Sequence, residues 1–156
     1  MTANRLTLEV YTRAYAAVSE PEDHVARLVR TLVDEGVVDG FRVHSWPSAV
    51  RMADDTDVVR RYRAFAAWAD DAGVSIDRAF RCCTEHNWLT GEHCEKLATP
   101  LVTLAVRQDD DLVAVLPCSV DEDEHVSVVD YLDALARGED LLGTLDSGDR
   151  SLAVAQ

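Results

Sequence analysis

Cysteine and histidine crowd one stretch of this chain: Cys82-Cys83-x-x-His86, then His93-Cys94, with Cys118 and His125 further on. Zinc takes four thiolate or imidazole ligands in a tetrahedron, usually in pairs two to four residues apart, so that one turn can grip the ion. Cys83 and His86 have that spacing, and His93 or Cys94 would add a third ligand from the intervening loop. Zinc is therefore the cofactor candidate, held by Cys83, His86, His93 and Cys94. Two features oppose it: there is no C-x-x-C, and the adjacent side chains of Cys82 and Cys83 diverge on a strand. A redox-responsive thiol at Cys83 or Cys94 is a second use of the cluster. The third is packing, with Cys82 beside Phe80 on the core face, where free cysteine behaves as a small hydrophobe.

Three arginines in four positions, Arg60, Arg61 and Arg63, form the other dense group. They could bind phosphate near a helix start. Arg60 and Arg61 stand about 100° apart on a helix, however, and pairing with neighbouring carboxylates is the plainer use. Asp109-Asp110-Asp111 reads as a tight hairpin turn rather than a cation site. Asp121-Glu122-Asp123-Glu124 lacks the alternating ligands and central glycine of a calcium loop. No nucleophile elbow, P-loop or G-x-G-x-x-G is present. The chain leaves open whether it is an enzyme, with a metal or redox enzyme as the form that would take, and favours a non-enzymatic reading.

These residues must be placed by strands and helices. Leu6, Leu8 and Val10 alternate with Thr7, Glu9 and Tyr11, the pattern of a half-buried strand. Ser19 and Glu22 form a capping box with Pro21 in the first turn. The helix it opens carries Val25, Leu28, Val29, Leu32 and Val33 and stops at Gly36. Phe41, Val43 and Ser45 alternate with Arg42, His44 and Trp46 in a second strand, ended by Pro47; residues 48–55 are irregular or a short extra strand. A helix is predicted over Asp57–Ala72, its buried face Val58, Tyr62, Phe65, Ala66, Ala69 and Ala72, closed by Gly73. Ala79–Glu85 reads as a third strand, and residues 86–98 as a polar connection. Leu101–Arg107 and Leu112–Leu116 make a hairpin around residues 108–111, apolar on both faces and so central in a sheet. A last helix begins at the Ser127-x-x-Asp130 box and ends at Gly138.

The order β-α-β-α-β-β-β-α specifies an α/β (α+β) two-layer sandwich: a mixed five-stranded sheet with about three helices on one face. Residues 1–138 form a single domain, and 139–156 a weakly structured C-terminal tail. If the helices cover one face, alternation brings Tyr11, Arg42, His44, Trp46 and Arg81 together on the other. Tyr11, His44 and Trp46 would make an aromatic floor, with Arg42 and Arg81 orienting an anionic group. The same face could instead be the interface of a homodimer, or an ordinary solvated surface.

Composition bounds the setting. Twenty-nine acidic residues oppose fifteen basic ones, of which only Lys96 is a lysine, for a net charge of −14. Densely hydrated aspartates with scarce lysine suit a halophilic, archaeal cytoplasm. Such a charge lowers the prospect of nucleic-acid binding. It does not close it, because at 1 M salt the Debye length falls to about 3 Å. The four cysteines are not spaced as a disulfide framework, which favours a reducing cytosol. The N-terminus lacks a basic region followed by an apolar run. No stretch approaches the ~20 apolar residues of a membrane span.

Several stretches resemble a group of small haloarchaeal proteins loosely labelled helix-turn-helix domain proteins. They are Tyr62-x-x-Phe65-x-x-Trp68-Ala69 with Gly73, Leu89-Thr90-Gly91-Glu92, and Pro100 with Leu104-Ala105-Val106. Asp111-Leu112-Val113-Ala114-Val115-x-Pro117 and Leu132-Asp133-Ala134-Leu135 with Gly138 complete them. The resemblance covers most of residues 5–138 and implies DNA-linked transcriptional regulation. It also implies that the Cys82-Cys83 and His93-Cys94 pairs are particular to this chain. The element order departs from the label, because a recognition helix follows another helix after a three- to four-residue turn. Here a strand, Phe41–Trp46, follows the first helix. The residues themselves favour a non-enzymatic module for small-ligand sensing or protein interaction through the sheet face. DNA-linked regulation and a metal or thiol-redox role are the alternatives.

Overall fold

The computed structural model of the protein describes residues 5–13 and 20–143. The first strand, β1, spans Leu6–Arg13, and Leu8 and Val10 are buried as their alternation predicts. Helix α1 follows over Glu20–Asp34; the Ser19 capping box lies outside the described residues. Val25, Val29 and Leu32 form its buried stripe. Gly36 ends it with φ +77°, a left-handed conformation that glycine adopts without Cβ strain, and the Val37 N–H donates back to the Leu32 carbonyl at 2.9 Å. That reversal lays β2, Gly40–Trp46, parallel to β1.

Helix α2 runs over Asp57–Ala72 between two caps, of which Gly73 is expected from the sequence. The Thr56 hydroxyl accepts from the Val59 N–H at 3.3 Å, and Gly73 takes the left-handed conformation that closes the helix. Further on, β6 (Val102–Gln108) and β7 (Asp111–Leu116) form the expected hairpin. Asp109 and Asp110, at φ 53° and 74°, make its two-residue turn. Helix α3, Val128–Ala136, starts at a complete capping box: Asp130 N–H donates to the Ser127 hydroxyl, and Ser127 N–H to the Asp130 carboxylate.

The fold is α+β, with mixed parallel and antiparallel pairing, but its layers differ from the expected sandwich. The main sheet has four strands, in the order β2-β1-β6-β7. The strand expected after α2 is β4, Arg81–His86, and it belongs to a second sheet with β3 (Ala49–Arg51) and β5 (His93–Ala98), ordered β3-β5-β4. β5 lies inside the stretch read as a polar connection. Of its residues only Leu97 is fully buried, so it is held by ladder bonds to two neighbours and carries little apolar alternation. β8 (Cys118–Ser119) and β9 (His125–Val126) form a small separate ladder.

The helices also do not share one face. β1 turns Leu8 and Val10 to one side and Glu9 and Tyr11 to the other. Tyr11 meets Phe65 of α2 edge-on, so α2 covers that side. Helices α1 and α3 pack on each other and against β2 and β6, covering the side of Leu8, Val10, Leu104 and Val106. β7 is an edge strand, not a central one. It reads as apolar on both faces because the successive residues Ala114, Val115 and Leu116 are all buried, and α2 packs directly against it. Past α3, residues 139–143 turn back, with Leu142 against the core. The rest of the expected tail, 144–156, lies outside the described residues.

Candidate functional site: an arginine-lined cleft at the end of an aromatic stack

Parallel register sets Glu9 beside Arg42, Tyr11 beside His44 and Arg13 beside Trp46, so alternation does bring these side chains to one face. The face is not open along its length. Its aromatic half is a stack: Tyr11 lies on Trp46 with ring centroids 4.6 Å apart and on His44 at 5.0 Å. Phe65 and Phe80 meet Trp46 edge-on. Tyr11 and Trp46 keep 1% and 3% of their surface exposed. They serve as core under α2, and cannot be the floor on which a ligand lies. The expected open face is closed here because α2 carries Val59, Phe65 and Ala69 down onto it.

The polar half remains accessible. Thr7, Glu9, Arg42 and Arg107 open into a cleft of about 1040 Å³ that the first turns of α2 wall off with Asp57, Arg60 and Arg61. A chain of polar contacts joins its floor to the stack. Arg107 Nε donates to Glu9 Oε1 at 2.9 Å, and the Tyr11 hydroxyl donates to the same oxygen at 3.2 Å. The Arg61 guanidinium donates to the Tyr11 hydroxyl and lies over its ring, 5.2 Å from the centroid. Burial, then the negative Glu9, raises the Tyr11 pKa above its ordinary value, so the phenol is neutral and able to donate.

The arginine pair separates as helical geometry predicts. Arg60 turns to the helix entry, where Asp57 and Asp55 hold it and raise its pKa, the Asp57 hydrogen bond most of all. Arg61 turns inward. Arg63 is exposed and does not line the cleft. Among the described residues neither Arg42 nor Arg61 meets a carboxylate within ion-pair distance. Arg81, expected beside Arg42, stands on β4 in the second sheet, because the strand that carries it joined β5 instead of β1.

The four residues of the zinc reading are divided by the β4–β5 ladder. His86 and His93 sit directly opposite each other, ring centroids 4.4 Å apart and Nδ1 atoms at 3.2 Å. Cys94 faces Glu85 and Cys83 faces Lys96, one residue out of phase, so both thiols point to the other side of the sheet. Among the described residues no three His, Cys, Asp or Glu side chains gather where they could hold a metal ion. Cys82, expected in the core beside Phe80, is exposed on the all-exposed β4, its thiol 3.9 Å from the Tyr62 hydroxyl. Cys118 is buried, and burial pushes its pKa up to about 11.

A second polar cluster was invisible in the sequence because its members come from three separate segments. Ser119 Oγ lies 2.8 Å from His125 Nδ1, and Arg78 Nη1 3.0 Å from His125 Nε2, beside a cavity of about 240 Å³. A guanidinium only donates, so the Nε2 of a neutral His125 accepts and the proton sits on Nδ1, which donates to Ser119. This imidazole therefore cannot take the serine proton, and the pair is not a nucleophile with its base.

The fold and the cleft together define an α+β domain that presents arginine side chains at a concave surface. The chain belongs to a family described as a helix-turn-helix domain, which matches residues 1–140. No curated protein and no solved structure matches it. Along the described chain no helix directly follows another, so the family's description has no local helix-turn-helix counterpart in these elements. No helix is long and apolar enough to cross a membrane.

Proposed function

We propose that this domain is a non-enzymatic sensing module that binds a small anionic molecule in the cleft between the polar end of the main sheet and the first turns of α2. One observation carries the reading. In a chain with nearly twice as many acids as bases, Arg42 and Arg61 face one cleft with no carboxylate partner among the described residues. Guanidinium forks suit a carboxylate or phosphate, which they bind bidentately. The cleft is of the size that takes small molecules, about 300–1,000 Å³. The chain Arg61–Tyr11–Glu9–Arg107 pre-positions Arg61, so little ordering cost falls on binding.

Titration calorimetry with inorganic phosphate, succinate and a nucleoside monophosphate tests the reading. At least one probe is expected to bind, and Arg61→Ala to weaken it about tenfold or more, as for a lost charged hydrogen bond of ~1.5–3 kcal/mol. Binding by none of the three, or binding that ignores both Arg61→Ala and Arg42→Ala in folded protein, would sink it.

Family membership favours a second reading, DNA-linked transcriptional regulation. It needs Arg60, Arg61 and Arg63 at phosphates. A mobility shift that weakens with added salt and disappears in the triple alanine variant would support it; no shift at any protein concentration would dispose of it.

A further inference from the structure

We infer that the open edge of β4 is a self-association surface, and that it takes the β4 edge of a second copy of this chain, antiparallel and centred on Cys83. The inference stands whether or not the cleft takes a ligand.

β4 is the edge of the second sheet, and all six of its residues are exposed. The ladder fixes which of its backbone groups are unpaired. The Asn87 N–H donates to the Glu92 carbonyl across the hairpin end, so Asn87, and by alternation Glu85, Cys83 and Arg81, turn toward β5. The Glu95 carbonyl accepts from Met52, on the β3 side, which leaves its neighbour Thr84 turned the other way. The N–H and C=O groups of Cys82, Thr84 and His86 therefore point outward. No backbone hydrogen bond outside the strand ladder reaches them among the described residues. An open edge of this kind is a template for another strand.

Only a few two-fold registers satisfy those outward groups, and charge selects among them. Centring on Cys83 exchanges hydrogen bonds between Cys82 of each copy and Thr84 of the other. It then sets Arg81 opposite Glu85 of the second copy, twice over, in the non-hydrogen-bonded positions where side chains lie closest. Arg81 has no carboxylate partner within its own described chain, and Glu85 is 60% exposed while paired to Lys96 at 3.0 Å. Glu85 would thus sit between Lys96 of its own sheet and the incoming Arg81. Centring on Thr84 instead sets Cys83 against Glu85 and leaves Arg81 opposite Asn87, with no ion pair.

The hairpin tip supplies the apolar part. Trp88 and Leu89 are 80% and 76% exposed, on a turn fixed by the Asn87 side chain, which accepts from the Leu89 and Thr90 N–H groups. In the Cys83-centred register each tip overhangs the turn that leads into the other copy's β4, residues 77–79. Arg78 stands there, a cation suited to an indole face. Two large exposed side chains at the end of a charge-matched open edge are what a paired surface needs and a solitary one does not.

Sedimentation velocity over a concentration series tests this, at the lowest salt in which the protein stays folded by circular dichroism. Wild type should dimerise. Thr84→Pro should be monomeric yet folded, because the N–H it removes points away from β5 and edge strands tolerate proline there. Arg81→Glu and Glu85→Arg should each weaken the dimer tenfold or more, and the double exchange should restore it. A monomeric wild type at every concentration would overturn the inference. So would a dimer untouched by a folded Thr84→Pro protein, or a double exchange that stays monomeric while each single variant folds.

Discussion

Tyr62 sits where α2 approaches β4, and its phenol is the titrating group with the clearest consequence. Burial first, then the Cys82 thiol, pushes its pKa up to about 12 from the ordinary 10. The folded state thus favours the neutral phenol, and the unfolded chain ionises first. This contribution to stability is complete below pH 10 and is lost as pH rises toward 12. Thermal melts across that window should show stability falling with pH, and Tyr62→Phe should flatten the part of the slope due to this residue. The residues of the cleft were partly legible in sequence. Strand alternation placed Glu9, Arg42 and the aromatic trio on one face, and the helical angle between Arg60 and Arg61 anticipated their separation. That Arg61 would land on Tyr11 was not legible, since it depends on which face of the sheet α2 chooses, and no local pattern records that choice.

Elements with end signals were readable, and elements without them were not. The caps Gly73 and Ser127 mark the end of α2 and the start of α3 within the sequence itself. β5 has no such marks and one deeply buried residue, so only its long-range pairing defines it. The β6–β7 turn shows a strain that sequence could suggest and structure locates. Asp110 has φ 74°, a conformation costing a non-glycine residue roughly 1 kcal/mol. Asp109 uses its carboxylate to accept from the Arg5 N–H at 3.0 Å, whereas Asp110 accepts from Arg107 through its backbone carbonyl, which a glycine would keep. Asp110→Gly should therefore stabilise the domain by roughly 0.5–1 kcal/mol in denaturant unfolding. The corresponding change at Asp109 should gain less, because it also removes that hydrogen bond.

At the scale of the molecule, the three sheets and three helices of the described residues bury a continuous core beneath a surface of strong net charge. Fourteen excess negative charges repel one another in the folded state, and salt screens that repulsion as the Debye length falls from about 10 Å at 0.1 M to 3 Å at 1 M. The melting temperature should rise with KCl over this range, and a flat or falling curve would mean that the visible ion pairs outweigh the self-repulsion. The sheet count escaped the sequence for a related reason. A chain can specify each strand by alternation and still leave open which strands pair, because pairing is decided by the whole assembly of helices and turns.

Two of the three tryptophans, Trp46 and Trp88, occupy opposite surroundings, with Trp68 partly buried between those extremes, and that makes the protein its own optical instrument. Trp46 is dry and stacked on Tyr11, at the inner end of the contact chain that begins in the cleft. Its blue-shifted emission should change in intensity when an anion binds the Arg61 guanidinium that the Tyr11 phenol holds in place. Trp88 stands in water at the hairpin tip, and its emission should be red-shifted and open to a soluble quencher until a second copy covers it. With Trp68 replaced by Phe to remove the third emitter, occupancy of the cleft and pairing of the edges would then be read as two colours in one unlabelled sample.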